Sequence, residues 1–408
     1  MQISNFFYSL GDLLGGTSKR AKKQYFNSRV PYMVQRGNVY INTDVPYNIY
    51  KTIPQISIPI DKLAAMFSNG MFKLEKIQDK SVSELPPELD KLLNNPNVLQ
   101  SQNAWLTQYL KQYLVYGNQY IKKNKPSTLT KYPSALINIS PAYMYPVLTG
   151  KIFDQTELKG IIKHYEYKED SNTKIFLTEE VLHSKIGDLD NPVIGMSPLL
   201  ALEFPISNTE LAYKYLNCIS GEKGAIGILS SQSKDSMGAL PMTEDEKKEI
   251  ESTYRAENGI EDNQKKIHIT TGSTTWTPMS YPTKDLLLME QIDANFKTIL
   301  AKFGVNQNVF INSTYENLKT GLIQTHNDTV IPHADSFTQA LSTFIGIEKG
   351  YRLILDYSHL PYLQADKKSE SETMQNVSLG LQNLVTAGIV TPQQANTILV
   401  NQFGLKIK

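Results

Sequence analysis

Between Asp285 and Phe303 the chain carries its clearest helical stripe. Leu288, Met289, Ile292, Phe296, Ile299, Leu300 and Phe303 recur three and four residues apart, and Gly304 follows as a stop. A second rod is signalled upstream, where Ser197 and Pro198 form an N-cap followed by proline at the first helical position. Leu199, Leu200, Leu202, Ile206, Leu211 and Tyr215 then carry an apolar stripe toward Gly221, with Pro205 placed to kink or split it. Between the rods, residues 222–283 change texture. A glycine- and serine-rich strand-and-turn stretch leads to a charged helix near Glu244 to Ala256 and to two strands around KKIHITT (265–271) and TTWTPMS (274–280). The simplest description is a small folded module spliced between two helices that lie together.

The rest of the chain reads as mixed α+β. The run TIPQISIPI (52–60) alternates apolar residues with two prolines that cannot donate to a ladder, so it predicts an edge strand or extended entry. A helix from Pro59 or Asp61 to Phe67 is expected next. A longer helix over Asn97 to Tyr116 rests on Leu99, Trp105, Leu106, Tyr109, Leu110, Tyr113 and Leu114, and is stopped by Gly117. Short strands follow in GNQYIKK, ALINIS, YMYPVLTG, IIKHYEY, KIFLTEE and EVLHSKIG, each bounded by proline, glycine or asparagine signals. After the second rod, VNQNVFINS (305–313) is polar and irregular. Ser313 to Glu316 has capping-box spacing and opens a helix expected to run to Phe344, bent at Pro332. Residues 351–363 read as strand and turn, and the tail from Ser369 as two short helices.

Composition narrows the function. At 408 residues the chain can hold two to four cores. Cys218 is alone, so neither an internal disulfide nor a cysteine-based zinc site can form, which points to a reducing compartment. The amino terminus lacks the marks of a signal peptide, and no apolar run reaches the length of a membrane span, so no membrane association is expected. Lys plus Arg total 41 against 40 Asp plus Glu, and Arg occurs only at positions 20, 29, 36, 255 and 352. Base reading in the major groove leans on bidentate Arg, so a sequence-specific DNA reader is not indicated. Residues 1–36 hold the one basic block (Lys19, Arg20, Lys22, Lys23, Arg29, Arg36 against Asp12), either a solvated arm or a contact arm for a neighbouring subunit or phosphate.

The search for catalytic chemistry returns little. Gly221 to Gly227 lacks the Lys-Ser/Thr of a phosphate loop, and no nucleophile-elbow or zinc-deaminase spacing occurs. Of six histidines, only His326 and His333 share a predicted helix, seven apart, where a metal pair prefers three or four. Structural histidines are the ordinary reading. Glu244, Asp245 and Glu246 open a predicted helix, Asp188 and Asp190 sit in a turn, and Tyr109, Tyr113, Tyr116 and Tyr120 have the spacing of packing rather than base stacking. No enzyme, metal or cofactor is indicated.

One resemblance ties these strings together. YGNQYI (116–121), EVLHSKIG (180–187), GMSPLLALE (195–203), EKGAIGIL (222–229), GSTTWTPMSYPTKDLLLMEQ (272–291), ILAKFGVNQNVF (299–310), STYENLKTG (313–321) with Pro332 downstream, and LVTAGIVTPQQAN (384–396) follow one another in the order found in portal proteins. The chain therefore resembles the portal proteins of tailed double-stranded DNA bacteriophages, of the siphovirus type, from about residue 100 to the end. Asn306 stands where that family commonly has proline, and Pro205 interrupts the helix after Ser-Pro. The resemblance implies an α+β portal fold. Its parts are a mixed wing (37–196) after the basic arm (1–36), stem helices (197–221 and 284–303) flanking a clip (222–283), a tunnel loop (304–313), a kinked wing helix and following strand (314–364), and a short crown (365–408). It further implies a homo-oligomeric ring of twelve subunits at one capsid vertex of the virion, assembled in the host cytoplasm. Such a ring conducts double-stranded DNA during packaging and ejection, and docks the terminase large subunit, the major capsid protein and head-completion or adaptor proteins. On that mapping Asn306, Gln307, Asn308, Val309, Phe310, Ile311 and Asn312 line the DNA channel without any charge, and Lys297, Lys302 and Lys319 are candidate phosphate contacts. The alternative for the tunnel loop is an ordinary helix–helix connection packed on a neighbour. The alternative for the chain is a virion assembly protein without a DNA channel.

Overall fold

The computed structural model describes residues 32–35, 38–41, 44–124, 131–149, 156–169, 172–189, 191–217, short stretches between 227 and 248, 274–278, 287–310, 314–388 and 390–394. Residues 1–31 of the basic arm, most of the expected helix at 244–256 and the expected strand at 265–271 lie outside them.

The described chain opens with a hairpin, β1 (Tyr32–Gln35) and β2 (Asn38–Ile41), followed by helices α1 (Asp44–Thr52) and α2 (Pro54–Ser68). Strands β3 (Met71–Lys76) and β4 (Val82–Ser83), then helices α3 (Pro87–Asn94) and α4 (Gln102–Tyr116), complete the first helical layer. Next come β5 (Asn118–Asn124), β6 (Ala135–Ile139), β7 (Met144–Leu148), the short α5 (Leu158–Ile161), β8 (Ile162–Glu169), β9 (Asn172–Phe176) and β10 (Val181–Lys185). All six strands expected after Gly117 are present.

TIPQISIPI is where the sequence reading fails: the edge strand is a helix. Pro54 occupies the first turn of α2, where its missing N–H costs nothing, and Pro59 lies inside the helix. Ile56, Pro59, Ile60, Leu63, Ala64 and Phe67 fall on one buried face with helical spacing. That face packs on α4, with the Phe67 and Tyr109 rings stacked at 6.0 Å. Such burial outweighs one lost backbone bond, a penalty of about 3 kcal/mol. The longer helix expected from Asn97, α4, also begins later than expected. It starts at Gln102, and Leu99 stands before it with 89% of its surface exposed.

The part of the chain before the first rod contains a five-stranded antiparallel sheet in the order β1-β2-β7-β8-β9 and a three-stranded sheet β10-β5-β6. A small core of Tyr120, Ile139, Met144, Ile162, Tyr165, Val181, Val193 and Ile194 lies with them. The larger core joins α2, α3 and α4 to residues much later in the chain, among them Leu199, Ile206, Ile299, Leu300, Phe337 and Leu341.

Ser197 caps a 3-10 turn over Pro198–Leu202, its side chain accepting from the Leu199 amide, and the first rod proper, α6 (Glu203–Asn217), follows. Pro205 therefore falls in the first turn of an α-helix after a split, where no donor is needed. Strand β11 (Gly227–Ser231) leads away from this rod; β12 (Lys234–Asp235) and β13 (Gly238–Ala239) form a tight pair; and β14 (Thr274–Pro278) runs back antiparallel to β11. The second rod, α7 (Leu288–Lys302), packs along α6, and Asn295 Nδ2 donates to the buried Thr209 Oγ1 at 3.2 Å. The two rods lie together, as the spliced arrangement requires.

The helix expected to bend at Pro332 is α8 (Tyr315–Thr325), a π-helical turn over His326–Val330, and α9 (Ile331–Ile345). Its cap is Thr314, whose hydroxyl accepts from the Asn317 amide, one residue later than the Ser313 read from capping-box spacing. Strand β15 (Tyr351–Asp356) pairs with β3, and a single helix α10 (Pro361–Thr386) replaces the turn and the first of the two short helices expected in the tail. It crosses residue 365 without interruption. No helix among the described residues is long and apolar enough to cross a membrane.

Candidate functional site

The bend after the second rod begins where Phe303 and Gly304 end α7. Gly304 takes φ +67°, a left-handed conformation open to glycine. A Cβ there would lie 2.4 Å from Thr329 Oγ1, and that hydroxyl donates to the Gly304 carbonyl at 2.7 Å. One residue on, Val305 is buried and its amide reaches back to the Leu300 carbonyl. The Asn306 amide donates to Thr325 Oγ1 at 3.0 Å, while its side chain accepts from the Asn308 amide at 2.9 Å and donates to Gln324 Oε1. Gln307–Val309 thus forms a 3-10 turn capped by Asn306. Gly321 lets this turn nest on α8, because a Cβ at Gly321 would come within 3.1 Å of Asn308 Cβ. Phe310 closes the segment with its ring 5.9 Å from Phe296.

Residues 304–310 are therefore seated on α7, α8 and the π-turn. The Asn306 amide and side chain are bonded within the chain, Asn308, Val309 and Phe310 are half-buried, and Gln307 is exposed. Ile311 and Asn312 lie outside the described residues. Lys297 and Lys302 are exposed on α7, and Lys319 is half-buried on α8. Sequence reasoning missed the residues that hold the bend, Gln324, Thr325 and Thr329. The available signal was the polar string Thr325 to Thr329 in a helix otherwise expected to be apolar on its inner face.

A second cluster explains why two of the quoted strings, far apart in sequence, travel together. Gly117, the left-handed cap of α4, packs so closely on the Met196–Ser197 backbone that a Cβ would lie 2.2 Å from the Met196 carbonyl. Beside it, Asn118 Nδ2 donates to the Gly195 carbonyl at 2.7 Å and its Oδ1 accepts from the Gly195 amide at 2.8 Å. Ser197 Oγ donates to the Val115 carbonyl at 2.6 Å. His183 Nε2 lies 2.9 Å from Asn118 Oδ1; because that oxygen accepts, the imidazole nitrogen donates. Burial, assisted by nearby Lys185, lowers the His183 pKa to about 3. This junction ties the start of the first rod to α4, β5 and β10.

His326 and His333, the two that share a predicted helix, pack against aromatic rings. His333 meets Tyr113 edge-on at 5.7 Å, and His326 is buried against Tyr357 and Tyr362, so the two do not converge. Among the described residues no three His, Cys, Asp or Glu side chains are grouped to hold a metal.

Solved structures of similar fold include neck and portal proteins. The chain superimposes on a subunit of the neck of a native GTA particle computed with C12 symmetry, with TM-score 0.58 and 18% identity over 90% of this chain and 94% of that one. The neck of an empty GTA particle computed with C6 symmetry matches equally, with TM-score 0.58 and 18% identity over 90% and 95%. An HK97 family phage portal protein from Corynebacterium diphtheriae matches with TM-score 0.52 and 13% identity over 80% of this chain and 96% of that one. No curated protein sequence matches. Residues 60–398 match the family model described as phage portal protein, and the chain belongs to that family. Portal proteins are structural proteins of the virion rather than enzymes, which accords with the sparse catalytic signals of the sequence.

Proposed function

We propose that this chain is the subunit of a closed, twelve-membered portal ring at one capsid vertex, through which double-stranded DNA passes during packaging and ejection. The observation that carries this is the pair of rods packed side by side, with β11 and β14 leaving and returning together, in a chain of the portal family. A ring requires heterologous contacts that close, and the paired rods are the proposed flanks through which each subunit meets its neighbours. The module is the proposed docking face for the terminase large subunit and later for head-completion or adaptor proteins, and the wing for the major capsid protein.

The bend after the second rod is the proposed constriction. Duplex DNA carries a charge about every 1.7 Å of axis, so a basic collar would trap it by counterion release. Asn306 to Asn312 carry no charge, which suits sliding. The anchoring of the Asn306 side chain and the exposure of Gln307 make Gln307 the first candidate for the DNA-facing role, with Ile311 and Asn312 as further candidates. Lys297 and Lys302, both exposed, are the better placed phosphate contacts; Lys319 is half-buried.

Gln307→Glu and Gln307→Lys in an infectious particle test this reading, because neither disturbs the hydrogen bonds that seat the bend. We expect rings of normal size, with packaged DNA reduced by Glu through repulsion and ejection slowed by Lys through attraction. Packaging and ejection that match the parent in both variants would remove Gln307 from the channel.

A further inference from the structure

The π-turn at His326–Val330 touches two parts of the chain that are remote in sequence. Toward the bend, Thr325 Oγ1 accepts from the Asn306 amide at 3.0 Å and Thr329 Oγ1 donates to the Gly304 carbonyl at 2.7 Å. Toward the C-terminal helix, His326 between them is fully buried. Its ring stands edge-on to Tyr357 at 4.4 Å and to Tyr362 at 6.0 Å, with Nδ1 3.4 Å from the Tyr362 hydroxyl. Tyr362 lies in the first turn of α10. A π-turn holds one residue more than an α-turn, and here the Ile331 amide bonds the His326 carbonyl five residues back. Pro332 follows at once and has no amide to offer an α-helical partner. His326 Nε2 is buried without a hydrogen-bond partner, so the ring is held there by its aromatic contacts and the Nδ1 side alone. Reverting to α register would rotate α8 by roughly 100° relative to α9, which would carry Thr325 away from Asn306.

We propose that this π-turn is a coupling element: the seating of Tyr362 on His326 holds the turn open, and the open turn holds residues 304–306 in place. The first turn of α10 and the bend after the second rod then loosen together although they share no direct bond. Thr325, His326 and Thr329 are positioning residues for the bend. The inference does not depend on what the bend faces.

Hydrogen–deuterium exchange on the purified full-length protein tests it through reciprocity, since a coupling free energy acts equally in both directions. Thr329→Val keeps the side-chain shape and removes the hydroxyl. It is expected to speed exchange at the Val305 and Asn306 amides and, across the turn, at the Leu363 and Gln364 amides of α10, by about tenfold or more, with the α4 amides unchanged. Tyr362→Phe removes only the hydroxyl near His326, and Tyr362→Leu removes the ring contact; both are expected to speed exchange at Val305 and Asn306, the latter more. Should Tyr362→Leu speed exchange throughout the chain, the two conservative variants decide. Loosening confined in Thr329→Val to residues 304–310, or in Tyr362→Phe to α10, overturns the proposal.

Discussion

Replacing Gly117 by alanine should be among the most damaging single-methyl changes in this protein, and the size of the effect can be worked from two contributions. Gly117 has φ +72°, and an alanine there bears a left-handed penalty of about 1–2 kcal/mol. Its methyl would also sit 2.2 Å from the Met196 carbonyl oxygen and 2.4 Å from its carbon. Both are backbone atoms that no rotamer change can move. Forcing that backbone aside adds about 1–3 kcal/mol by comparison with overpacked cores, for a total of about 2–5 kcal/mol. Gly346 supplies the control: it has φ +82° at the end of α9, yet a Cβ there meets nothing within 4 Å. Gly346→Ala should therefore cost only the conformational part. Urea denaturation of both variants separates the two contributions, with Gly117→Ala losing at least about 1 kcal/mol more. Equal losses would show that the close approach of the two backbones at this junction is not what fixes the first rod to α4 and β5.

Further outcomes follow from the same junction and its surroundings. Ser197→Ala loses both the bond to the Val115 carbonyl and the cap on the Leu199 amide, and should cost about 1–2 kcal/mol in the same denaturation assay. Desolvation lowers the His183 pKa to about 3 in the folded chain against 6.5 in the unfolded one, so the unfolded chain takes up the proton first. Stability should fall as pH drops below 6.5 and continue to fall toward 3; His183→Gln should flatten that slope, and an unchanged slope would contradict the assignment. Asp356 has its carboxyl lowered to about 2: burial pushes it up, but hydrogen bonds from Lys73 and Ser358 more than offset this. Its contribution is present above 3.8 and lost as pH falls toward 2, so Asp356→Asn should remove that acid-limb loss.

The rods and most strands were legible because their signals are local. Ile292, Ile299, Leu300 and Phe303 write the buried face of the second rod at helical spacing, although Met289 of the expected stripe is exposed, and each strand from Asn118 to Lys185 is bounded by turn residues. The error at residues 54–60 came from treating proline as a breaker where the period of three and four through Ile56, Ile60, Leu63 and Phe67 carried the stronger message. The bend after the second rod was found as an uncharged string, but its anchoring was not. The bonds from Asn306 to Thr325 and from Thr329 to Gly304 join residues 19 and 25 positions apart, and no periodicity encodes them. The same holds for Asn118 and Gly195, separated by 77 positions. The π-turn was invisible for another reason: Pro332 marks a break, but the extra residue before it leaves no compositional trace.

Cryo-electron microscopy of the assembled particle tests the central claim most directly. The account predicts a ring with an axial hole wide enough for duplex DNA, α6 and α7 of each subunit beside that hole, and Gln307 at its narrowest point. Density showing α6 and α7 on the outer wall, or Gln307 buried against a neighbouring subunit away from the axis, would contradict it.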